Sequence, residues 1–153
     1  MSERQIAVYN QFRNAQDKYT YFILAAAGAA MALALRETQS AALSWSQAPL
    51  AAAAFCWGSS FYCGCRHLLQ MTSSLYSNFE LLIVEGGLHP ATGTDPQRIA
   101  AASEGIRQGI DRHSSRAVPL GKWQFRLLIL GALFYIGWHI LEMWLRTPLT
   151  LLK

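Results

Sequence analysis

The sequence predicts an all-α integral membrane protein, with three transmembrane helices that continue into a cytoplasmic helical bundle. Three observations predict it. Three stretches, Tyr19–Leu35, Trp45–Cys65 and Trp123–Leu145, carry almost no charge, each over seventeen residues or more. Ten of the 13 Lys and Arg residues fall in the segments that alternation would place on one side of a membrane. Helix-breaking residues are absent where the first two stretches meet their polar flanks.

The first span, Tyr19–Leu35, holds no charge between Lys18 and Arg36. Its length at helical rise is about 26 Å, enough for a hydrocarbon core. The second, Trp45–Cys65, is uncharged up to Arg66 but is diluted by Ala, Gly and Ser. The third, Trp123–Leu145, is the most apolar, with the core FRLLILGALFYIGWHILEMWL. A soluble bundle rarely needs three such segments at once. The mean hydropathy of +0.16 hides this segregation by averaging apolar spans with charged flanks.

Charge sets the orientation. Residues 1–18 and 66–126 carry the basic majority, whereas the 36–44 loop carries only Arg36 and the tail only Arg146 and Lys153. The N-terminus and the 66–118 segment are therefore expected in the cytoplasm, and the C-terminus outside, in a bacterial inner membrane. Tyr19, Tyr21, Tyr62 and Trp123 suit the inner interface, and Trp45 and Trp144 the outer one. The long polar lead before the first span is unlike a cleavable signal, so that span is expected to be retained.

Residues 1–153 are read as a single domain. Residues 1–18 form an amphipathic cytoplasmic helix feeding the first span, with Ile6, Tyr9 and Phe12 at near-helical spacing. Past Arg66 the second helix runs on to Gly86-Gly87, with Leu68, Thr72, Leu75, Phe79 and Leu82 in the 4-3-4-3 spacing of packed helices. These two extensions are expected to pair as an antiparallel hairpin. After the turn GGLHPATGT, Asp95 suits an N-cap and Pro96 the first helical position. The helix it starts shows Ile99, Ala102, Ile106, Ile110 and His113 on one stripe, and Pro119 and Gly121 are expected to end the 66–118 stalk before the third span.

Few residues point to chemistry. Cys56, Cys63 and His67 lie on one helical stripe and are the candidate metal ligands, although small thiols in an Ala/Gly/Ser helix more commonly pack. Three closely spaced cysteines do not make a disulfide framework, and free thiols are expected. His139 and Glu142 are the strongly polar pair inside a span, hence candidate pore lining, with Arg146 one turn away as a structural partner for Glu142. Arg107 and Arg112 mark a candidate regulatory surface on the stalk. Arg107 and His113 miss the Arg/His spacing of helical ribonucleases, and no phosphate loop, HExxH or nucleophile elbow occurs. The net charge of +4 is spread out, so nucleic acid is not an expected partner. No enzyme activity and no cofactor are expected.

Small residues suggest helix packing. Gly28 and Ala32 in the first span, Ala54 and Gly58 in the second, and Gly105 and Gly109 in the stalk sit four apart. Two Ala-rich spans offer more small surface than one protomer uses, so a homo-oligomer in the lipid bilayer is expected.

The stretch QIAVYNQFRNAQDKYTYFIL with its following hairpin, and SLYSNFELLIVEGG before the turn, give residues 5–115 a layout that resembles SLATT-type bacterial membrane effectors. The resemblance implies a membrane-breaching role in conflict systems; the third span lies outside it. The expected function is a homo-oligomeric channel or pore with a cytoplasmic sensing stalk. The alternatives are a non-conducting anchor whose stalk binds a cytoplasmic protein, and a metal-dependent membrane enzyme.

Overall fold

The computed structural model describes residues 3–38 and 44–147, and every regular element among them is helical. Helix α1 spans Glu3–Thr38, a 3-10 turn covers Trp45–Gln47, α2 spans Ala48–Glu85, and α3 spans Pro96–Arg146. At about 1.5 Å per residue the three helices are roughly 54, 57 and 77 Å long, each well beyond the ~30 Å of a hydrocarbon core.

Two segments are long and apolar enough to cross a membrane, Arg13–Thr38 in α1 and a window of α3. Helix α2 is not one of them. Trp57, Gly58, Ser59, Ser60 and Tyr62 dilute its apolar stretch.

The ends of the connecting turn follow its residues. The Leu88 N–H reaches the Ile83 carbonyl and the Gly87 N–H reaches that of Val84, both at 3.0 Å, which is a Schellman close of α2. It requires a left-handed residue, and Gly87 supplies φ +66°. Asp95 caps α3 as expected, accepting the Gln97 N–H at 2.9 Å, with Pro96 as the first helical residue.

The expected break at Pro119 and Gly121 does not occur: α3 runs through both. Proline removes one rung, the bond its N–H would give to the Ser115 carbonyl, and Ser115 and Pro119 lie on the exposed side of the helix. Side chains of α2 hold α3 on either side of the gap, His67 at Ala117 and Ser60 at Gln124.

The chain divides into two compact units, residues 1–64 with 123–153, and residues 65–122. In the first, Ala34, Leu50, Ala53, Trp57 and Trp138 form the core, flanked by Ala30, Met31, Leu128 and Tyr135. The rings of Trp57, Tyr135 and Trp138 follow one another at 5.7 and 5.6 Å. The α1 extension belongs to this unit and not to the stalk. Its described side chains from Ala7 to Tyr19 are exposed except for a half-buried Arg13.

The second unit is a two-helix hairpin. Ile99, Ala102, Ile106, Ile110 and His113 line the inner side of α3, as their spacing predicts. The α2 stripe is a correction. Phe79 and Leu82 are 59% and 68% exposed, and Thr72 is exposed too. The side turned to α3 carries His67, Gln70, Ser74 and Val84 instead. Both sides of α2 show a helical repeat, but only the polar one finds hydrogen-bonding partners on α3.

Candidate functional site: the polar contacts between helices two and three

In the first unit α2 and α3 meet through glycines. Where a Cβ of Gly131 would stand, the Trp57 indole lies 2.5 Å away, so the ring occupies the space that the missing side chain leaves. From there Trp57 Nε1 donates to the Leu128 carbonyl at 3.2 Å. One layer on, the Gly64 position is crowded by Gln124 Nε2 at 2.5 Å and by Leu24 of α1 at 2.7 Å. Three helices converge at that glycine.

The Ser60 hydroxyl is fully buried and donates to the Gln124 main-chain carbonyl at 2.6 Å. Gln124 itself is 2% exposed, and its side-chain Nε2 has no hydrogen-bond partner among the described residues. Thr20 is buried nearby in sequence to Leu24 and returns its hydroxyl to the Gln16 carbonyl at 3.0 Å. These are the side chains that the sequence reading missed. The Gln124 amide beside Trp123, inside an apolar stretch, was the available signal. Nothing in sequence pairs Trp57 with Gly131.

In the second unit the contacts are polar along the length of the hairpin. His67 Nδ1 lies 2.9 Å from the Ala117 carbonyl; because that oxygen only accepts, Nδ1 carries the hydrogen. Gly121 leaves room for the same ring, 3.4 Å from where its Cβ would be. His113 Nδ1 and Gln70 Oε1 are 2.6 Å apart, the Ser74 and Ser114 hydroxyls 3.5 Å, and Arg107 Nη2 reaches Glu85 Oε1 at 2.7 Å. Four cross-links of this kind set one register. A slip by one turn would break them together.

The remaining candidates fall apart from one another. Glu142 Oε1 accepts from Arg146 at 2.9 and 3.0 Å, an i,i+4 pair, while His139 is exposed and its ring lies beside Trp138. Arg112 is exposed. Cys56 is buried, Cys63 is half-buried, and His67 is engaged with Ala117. Among the described residues no three His, Cys, Asp or Glu side chains gather as a metal site. Of the packing residues, Ala54 borders the core and Gly58 has Met31 Sδ at 3.8 Å. Gly28, Gly105 and Gly109 have nothing within 4 Å of a Cβ position, and Ala32 is exposed.

The surface of the first unit has shallow apolar depressions. One of about 440 Å³ lies against Trp45 and Gln47, and another of about 260 Å³ along Phe125, Ile129 and Leu133. Arg126 borders the latter and stacks 5.7 Å from the Trp123 ring centre. The helix contacts are hydrogen bonds and packing that set the register of α2 against α3. No family model matches the chain, and no curated protein or solved structure matches it either.

Proposed function

We propose that the chain is a homo-oligomeric membrane protein that forms a pore between its copies, with the 65–122 hairpin as the sensing element. The observation that carries this is exposure: only 11% of the apolar window of α3 and 22% of that of α1 are buried. The core helix of a soluble protein would bury most of such a window, because apolar surface is driven out of water. Here it is left for lipid and for other copies.

The second stretch, Trp45–Cys65, most of it in α2, completes the three spans in this reading. Hydropathy penalises its Trp and Ser as if they faced lipid, whereas Trp57 and Ser60 are buried and donate to carbonyls of α3. Hydrogen bonds of this kind between helices make polar residues tolerable inside a bilayer. The distribution of basic residues favours an N-terminus and hairpin in the cytoplasm and a C-terminus outside. The resemblance of residues 5–115 in layout to SLATT-type effectors supports a membrane-breaching role.

The protomer core is filled by Trp57, Tyr135 and Trp138, so a conducting path runs between protomers and not through one. His139 is exposed on α3 and is its polar lining, with Glu142 tethered to Arg146 at the outer end. Arg107 and Arg112 form the regulatory face of the hairpin. The same filled core favours a second reading, a non-conducting anchor whose hairpin binds a cytoplasmic protein. Reconstitution separates the two. Purified protein in liposomes releases trapped ions and sediments in detergent as several chains if it is a pore; a monomer in sealed liposomes overturns that reading.

A further inference from the structure

The outer side of α2 in the hairpin is apolar and uncovered. Tyr76, Phe79 and Leu82 are all more than half exposed, while Val84 on the opposite side is 3% exposed. From residue 67 to 84 the only charge on α2 is Glu80, which hydrogen-bonds the Tyr76 phenol and raises its pKa through that bond and its own charge. Exposed aromatic side chains beside a single carboxylate make a surface with one acidic point.

Helix α3 of the same hairpin has the opposite shape and charge. Among the described residues nothing lies within 4 Å of a Cβ position at Gly105 or Gly109, and each glycine lowers helix stability relative to alanine. At helical spacing Arg112 shares their face. This surface is small at its two glycines and basic at Arg112. Its height matches as well: the Ser74–Ser114 and Glu85–Arg107 pairs bracket Phe79 and Leu82 on one helix and Gly109 on the other.

Copies held in one membrane are related by rotation about its normal, so residues at one height in a protomer stay at one height in its neighbours. We infer that a second copy of this chain covers the apolar side of α2, seating Phe79 and Leu82 over Gly109 and Gly105 of its α3, with Glu80 facing Arg112. The contact joins two different surfaces. It therefore repeats from copy to copy and closes into a ring when the rotation allows. This rests on the membrane-embedded oligomer proposed above and names the contact that builds it.

The test replaces Phe79 in the full chain with photoreactive benzoylphenylalanine, followed by irradiation in membranes. The expected product has twice the chain mass, with the cross-link mapped to the peptide holding residues 105–112. Cross-links confined to the same chain or to lipid, or no cross-link at all, overturn the contact. Gly109→Phe has open space in the protomer, so it is expected to keep the helical spectrum and melting temperature while lowering two-chain product at least tenfold. An unchanged yield overturns the contact. Glu80→Arg should lower the yield several-fold and Arg112→Glu in the same chain should restore it; failure of that rescue removes the charge pairing and overturns the assigned register. Liposome flux is read in parallel. Mapped cross-links with sealed liposomes keep the contact and reject the pore, whereas flux with cross-links elsewhere does the reverse.

Discussion

Helices α2 and α3 pass through both compact units, yet they pack on opposite principles in each. In the unit that contains residues 1–64, α2 turns Trp57 and Ala53 inward and two glycines of the bundle admit the larger side chains. In the 65–122 hairpin, α2 turns His67, Gln70 and Ser74 inward and leaves Phe79 and Leu82 outside. The first unit adds an aromatic core and glycine-admitted side chains, whereas the hairpin adds four polar cross-links to a modest apolar seam. The difference teaches that apolar periodicity alone does not say which side of a helix faces its neighbour; the neighbour's chemistry decides.

The largest effect that would break this comparison lies at Trp57. Trp57→Ala removes a buried indole and leaves a cavity, so unfolding in detergent followed by circular dichroism should show a loss of about 3–5 kcal/mol. A loss below about 1 kcal/mol would mean that the aromatic core does not hold the unit. Next come the glycines. Gly131→Ala and Gly64→Ala put a methyl into occupied space and should each destabilise by about 1–3 kcal/mol. Gly28→Ala, with open space around it, should be neutral or stabilise by up to about 1 kcal/mol.

Within the hairpin the contrast can be sharpened by pairing substitutions on the two sides of α2. Val84→Ser, on the buried side, is expected to cost about 1–2 kcal/mol in the same unfolding measurement. Leu82→Ser, on the exposed side, should stay within about 0.5 kcal/mol in dilute detergent where copies are apart. Equal losses would refute the inverted packing. The cross-links matter less than Val84: Ser74→Ala should cost about 0.5–1 kcal/mol, because a long hydroxyl pair contributes little beyond register.

Much of the local structure was legible. Asp95 followed by Pro96 announced the start of α3, paired glycines at 86–87 announced the end of α2, and the Ile99–His113 stripe named the face of α3 that is covered. These features depend on residues close in sequence. The packing of α2 was not legible because Leu68–Leu82 and His67–Val84 both repeat with helical period. Partner choice depends on His113 and Ser114, some forty residues away. Pro119 misled for a related reason: a proline ends a helix only when nothing else holds both sides of it. Of the candidate site, the Glu142–Arg146 pair was legible at four residues' spacing, while Gln124, Ser60 and the Trp57–Gly131 contact required the tertiary fold.

Pro119 also has a mechanical meaning. Helix α3 is continuous over 51 residues, so it transmits twist along its axis as a rod does. Its stiffness is not uniform, because one rung of its ladder is missing between Ser115 and Pro119. Bending strain in the helix is expected to concentrate at that rung, which makes it the softest point along α3.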